Sequence, residues 1–146
     1  MAGMMDQLIG ILSEQTERYE ELLGLAKEKR DIIIANDIES LQKINHLENL
    51  VVSQNQRLEK KRLDLVADMA LVLDQKEDDL TLTKIIELMK GKEEEKPLEE
   101  ARERIKTVLE ELREIPETAV LAQQIAEFDF VQAGKTLKTL RGIFNC

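Results

Sequence analysis

The side chains able to do covalent or acid–base chemistry are few and poorly spaced for it. The single histidine, His46, stands between Asn45 and Leu47, and the single cysteine, Cys146, is the last residue. A zinc site needs three or four His, Cys or carboxylate ligands, and a di-iron bundle needs paired Glu-x-x-His motifs; one histidine supplies neither. A lone cysteine closes no internal disulfide, so nothing indicates an oxidising compartment. The G-x-x-x-x-G-K, G-x-G-x-x-G and C-x-x-C spacings are absent. The acids fall at helical spacing from Lys and Arg, as in Glu14 with Arg18 and Glu100 with Arg104. That is the pattern of a solvated helix surface rather than of a paired acid–base site. The expectation is a protein that is not an enzyme, with no cofactor and no metal.

The remaining polar feature of interest is a row at heptad spacing: Glu48, Asn55 and Arg62. It runs beside a dry row, Ile44, Val51, Leu58, Leu65 and Val72, with Val52, Val66 and Leu73 one residue further on. Polar residues in a coiled-coil seam can fix register or partner. The alternative is that they lie at the edge of an asymmetric bundle, partly in water. Val52 and Val66 move the apolar centre away from that row, which favours the edge position.

These residues belong to a stretch, Ile38 to Leu73, without Gly or Pro. At ~1.5 Å per residue such a helix spans roughly 54 Å, long for a globular core of this size. Asp37 before it is a good N-cap, and Glu39 suits the positive end of the helix dipole. An earlier helix is expected from about Met4 to Ala35. Its seam is Leu12, Tyr19, Ala26 and Ile33, beside Ile9, Thr16, Leu23 and Arg30. Gly10 and Gly24 weaken it by about 1 kcal/mol each, to be offset by close helix–helix approach. The break at Asn36–Asp37 is short, so the two helices form an antiparallel hairpin.

Beyond Leu73 comes a polar loop, Asp74 to Asp79. A short helix is expected from about Leu80 to Lys90, with Leu82, Ile85, Ile86 and Met89 on one face and Gly91 as its left-handed stop. Lys92 to Lys96 reads as a charged linker. Pro97 then opens a helix carrying Leu98, Ala101, Ile105, Val108, Leu112 and Ile115. Pro116 breaks or kinks it, and a last helix should run from Glu117 to about Thr139. The three phenylalanines, Phe128, Phe130 and Phe144, all fall in this end, with Leu121, Ile125, Val131, Leu137, Leu140 and Ile143. From Ala133 onward the charges are Lys135, Lys138 and Arg141, with no acid.

The fold class is therefore all-α: a long, coiled-coil-like antiparallel hairpin, a short third helix and a long Pro-interrupted C-terminal helix. One domain is expected over 1–146, made of the hairpin and its loop (4–79), the short helix and charged linker (80–96), and the C-terminal helix with a partner-binding tail (97–146). The net charge of −9 at pH 7 argues against nucleic-acid or anionic-membrane partners. No apolar run is long enough to span a membrane, and Met1 to Leu12 has no secretory n-region, so a cytoplasmic protein is expected.

With the helices laid out, the chain resembles the FlgN-type flagellar export chaperones. The likeness rests on Leu22-Leu23 and Leu25 before Lys27 and on the junction Ile34-Ala35-Asn36-Asp37-Ile38-Glu39-Ser40-Leu41. It continues in Ile44, in Leu47-Glu48 and in Leu80-Thr81-Leu82-Thr83-Lys84-Ile85-Ile86, and covers about residues 5 to 115. The chain departs from the family at Ile115-Pro116-Glu117-Thr118-Ala119, where a paired Asn-x-x-Asn is usual; the aromatic part persists as Phe128-Asp129-Phe130. The resemblance implies a chaperone that binds flagellar hook-associated (hook–filament junction) proteins, prevents their early assembly and presents them to the export apparatus. Leu121, Ile125, Phe128, Phe130, Val131, Leu137, Leu140 and Phe144 are the expected partner-binding residues. The chaperone reading goes with a monomer or weak homodimer. A self-assembling structural or adaptor coiled coil, the alternative, goes with a higher oligomer. A prefoldin-like holdase would need a β-hairpin base, which Asp74–Asp79 is too polar to supply.

Overall fold

A computed structural model describes residues 2–115. Among these, four α-helices occur: α1 (Ala2–Ile34), α2 (Ile38–Leu73), α3 (Leu82–Leu88) and α4 (Glu95–Arg113), with a 3₁₀ turn at Glu77–Asp79. The all-α class and the long hairpin stand as expected.

The hairpin junction is built from local chemistry. Asn36 takes a left-handed conformation (φ 55°), a short polar residue being the usual non-glycine there. Asp37 then caps α2: its carboxylate accepts from the Ser40 backbone amide at 3.2 Å and from the Ser40 hydroxyl at 2.7 Å. These bonds, the hydroxyl's first, hold the Asp37 carboxyl below its ordinary value. At the other end of α2, Asp74 is again left-handed (φ 53°) and its amide returns to the Ala70 carbonyl.

Three cross-helix pairs fix the antiparallel register of α1 and α2: Gln15 with Glu59, Arg18 with Gln54, and Lys29 with Glu48. Two more place α4 on α1. Lys27 approaches Glu111 at 3.9 Å and Arg104 approaches Glu20 at 3.7 Å, so α4 runs parallel to α1 and toward the hairpin turn. Helix α1 is thus the shared member, close to both α2 and α4. Its buried stripe, Met5, Leu8, Leu12, Tyr19, Leu22, Leu23 and Ala26, meets Val51, Val52, Leu65, Val66 and Met69 of α2. Leu98, Ile105, Val108, Leu109 and Leu112 of α4 complete the same core, and Leu80, Leu82, Ile85, Ile86 and Met89 join it from the α3 region.

Several local expectations are corrected. Helix α3 starts at Leu82 rather than Leu80, because Thr81 caps it by accepting from the Lys84 amide at 3.1 Å. Helix α4 starts at Glu95, so Glu95 and Lys96 are helical rather than linker, and Pro97 is its third residue rather than its first. Proline is tolerated there because first-turn amides have no intrahelical acceptor. Gly91 does adopt positive φ (81°). Ile33 and Val72, the expected ends of the two seams, are more than half exposed, and Arg30 is exposed as well. Helix α4 ends at Arg113, before it could cover Ile33, and by the hairpin register Val72 lies level with the very start of α1. Arg18 pairs with Glu21 rather than Glu14, and Arg104 reaches across to Glu20 rather than back to Glu100.

Candidate partner-binding surface

The largest correction concerns the polar row. Glu48, Asn55 and Arg62 are not at a wet edge: each is buried to 3% exposure or less, together with Glu59, Gln15 and Thr16. The edge reading failed because one helix's period does not reveal which of its sides a neighbour will cover. Helix α1 brings Gln15 and Lys29 to the side that looked peripheral. The charges are met inside: Gln15 Nε2 donates to Glu59 Oε2 at 2.9 Å, and the Arg62 guanidinium pairs with both Glu59 oxygens. Lys29 reaches Glu48 at 3.2 Å, and the Thr16 hydroxyl donates to the Leu12 carbonyl. Tyr19 is wholly buried beside this cluster, and burial, with the Glu59 charge second, pushes its phenol far above the ordinary value. Glu59 carried the missed signal. It interrupts the row Val52, Val66, Leu73, and it lies three residues before Arg62.

Gly10 and Gly24 were expected to permit close helix–helix approach within the bundle. Both are instead exposed, with open space where a Cβ would stand. Each lies in a shallow groove between α1 and α2. One section, of about 450 Å³, has Gly24, Leu25, Leu47, Leu50 and Val51 as its floor and Glu21 and Glu28 on its rim. The other, of about 430 Å³, repeats the same helical positions two heptads away: Gly10, Ile11 and Leu65 below, with Glu14, Asp64, Asp68 and the cation Lys61 around them. Arg18, hydrogen-bonded to Gln54 at 3.3 Å, lies between them. No residue of α4 lines either section. Leu47 and Leu50 are each nearly half exposed, and the apolar surface continues to Ile33, Ile34 and Ile38 at the hairpin turn.

Leu121, Ile125, Phe128, Phe130, Val131, Leu137, Leu140 and Phe144 lie outside the described residues, as do Pro116 and the helix expected after it. His46 is exposed, and among the described residues no cluster of three or more His, Cys, Asp or Glu is placed to hold a metal ion. No described helix is long and apolar enough to cross a membrane.

The described residues thus form an all-α hairpin bundle whose α1–α2 groove is apolar and acid-rimmed around Gly24. The chain belongs to the FlgN family: the family model described as FlgN protein matches residues 1–142, well beyond the stretch that carried the resemblance. Its general role is that of a flagellar export chaperone. No curated protein and no solved structure matches the chain.

Proposed function

We propose that this chain is a cytoplasmic chaperone for flagellar hook-associated proteins. It holds them through Leu121, Ile125, Phe128, Phe130, Val131, Leu137, Leu140 and Phe144, prevents their early assembly and hands them to the export apparatus. The observation that carries the reading is the family match, which runs through this tail to residue 142. The gathering of all three phenylalanines there supports it, since aromatic and aliphatic anchors dominate helix-in-groove recognition. The chain works by binding alone, as a single domain and without catalysis or cofactor.

The alternative, a self-assembling structural coiled coil, relied on the polar row to set register between copies. Glu48 and Arg62 of that row are buried and paired within one chain. That leaves only Asn55, buried with neither its side-chain nitrogen nor its oxygen hydrogen-bonded, as a recognition device for the alternative. A chain ending at Ile115 tests the proposal. It should keep its helical circular dichroism and fail to retain hook–filament junction protein in a pull-down. Undiminished capture by the truncated chain would place the client site elsewhere.

A further inference from the structure

The groove section around Gly24 is apolar at its floor and acidic at its rim, and α4 leaves it open. Helix α4 runs toward the hairpin turn, and Ile115 follows its end. The chain beyond it is therefore delivered to the end of the molecule where this groove section lies. That segment finishes with an apolar and purely basic stretch: Leu137, Leu140 and Phe144 at helical spacing, with Lys135, Lys138 and Arg141 among them. We infer that the segment Ala133–Cys146 docks in the chain's own α1–α2 groove, with its leucines and Phe144 on Leu25, Leu47 and Leu50 and its cations against Glu21 and Glu28.

Reach and charge both support this occupant. From Ile115 to Leu137 a wholly helical path already covers about 33 Å, and packed helices lie about 8–10 Å apart, so the turn can be rounded. Opposite charges across an apolar contact favour and orient docking. A second copy seated on the Gly24 section would set Glu21 and Glu28 against the same acids of its partner, which like-charge repulsion opposes. Docking in cis hides Leu137, Leu140 and Phe144 when no client is present, so a client that uses them has to displace the segment. The inference concerns the client-free chain, and its readout does not involve client capture, so it stands or falls apart from the proposed function.

Cys146 is the chain's single cysteine and takes a nitroxide label without further engineering. In the full chain with methyl-labelled leucines, the expected result is strong paramagnetic loss of the Leu25, Leu47 and Leu50 signals and none at Leu71, at the far end of α2. Reversing the rim (Glu21→Lys with Glu28→Lys) or the tail (Lys135→Glu, Lys138→Glu and Arg141→Glu) should restore the signals. Combining the two reversals should bring the loss back. Unaffected Leu47 and Leu50 signals would overturn the inference. Loss seen only between separately labelled and isotope-enriched copies in a mixed sample would do so too, assigning the groove to a second copy. So would groove shifts that arise only on adding hook–filament junction protein, which would assign it to the client.

Discussion

Glu59 accepts a hydrogen bond from Gln15 across the α1–α2 interface at 2.9 Å while it holds Arg62 on its own helix. One carboxylate thus ties the two long helices together at a level where both are buried. Glu59→Ala leaves a guanidinium and an amide in the core without their shared acceptor and should cost about 3–5 kcal/mol. Replacing Gln15, Glu59 and Arg62 together by leucine removes the polar groups as a set and should be near neutral or stabilising. Urea midpoints at unchanged m-value distinguish the two outcomes. Equal losses for the single and triple variants would show that packing, not charge, governs this layer.

Tyr19 is the chain's one tyrosine, and there is no tryptophan, so its ionisation can be followed cleanly by tyrosinate absorbance. Its folded value is raised from 10.0. The sign follows: below pH 10 both states keep the proton and stability is unaffected. Above it the unfolded chain loses the proton first, so stability falls as pH rises toward the folded value. Tyrosinate should form together with loss of helical circular dichroism. Titration near pH 10 with the helices intact would contradict the burial of the hydroxyl.

Asp37→Ala removes the cap of α2 and should lower stability. The Asp37 value is lowered in the fold, so its contribution is present above the ordinary carboxylate value and is lost as pH falls through the lower folded one. The substitution should therefore shift the unfolding midpoint at neutral pH and shift it less under strong acid. The pair of midpoints measures the cap directly.

Gly10 and Gly91 should respond oppositely to alanine. Gly10 is helical with nothing within 4 Å of an added Cβ, so Gly10→Ala should raise stability by about 0.5–1 kcal/mol. Gly91 has φ of 81°, and Gly91→Ala should lower stability by about 1–2 kcal/mol. Thermal midpoints of the two variants, measured side by side, give the signs.

Helix boundaries were readable wherever the chain supplied its own punctuation. Asp37 and the Gly- and Pro-free run behind it mark α2 from Ile38 to Leu73, as observed. Boundaries set by weaker caps were missed: Thr81 looked like one more residue of a helix, and the acids before Pro97 looked like linker. Burial of Glu48, Asn55 and Arg62 depends on how α1 seats against α2, with Gln15 and Lys29 reaching in, which the period of α2 does not encode. The groove was half visible, since Gly10 and Gly24, like Glu14, Glu21 and Glu28, are separated by multiples of seven. Spacing groups those residues on shared faces, but whether a face is covered is decided by the third helix.

The parallel course of α1 and α4 also has an electrical consequence. Both helices present their carbonyl ends toward the hairpin turn, each equivalent to about half a negative elementary charge. The last turn of α1 carries no basic residue to offset its pole, whereas α4 has Arg113. The opposing positive pole of α2 is met by Asp37 and Glu39. With Glu39 paired to Lys43 at 3.8 Å, the uncompensated pole of α1 and the Asp37 carboxylate remain as the negative contributions at that end, felt within about one Debye length, roughly 8 Å at physiological salt. A cationic segment approaching there would gain from them before any apolar contact forms, and added salt should weaken that gain first.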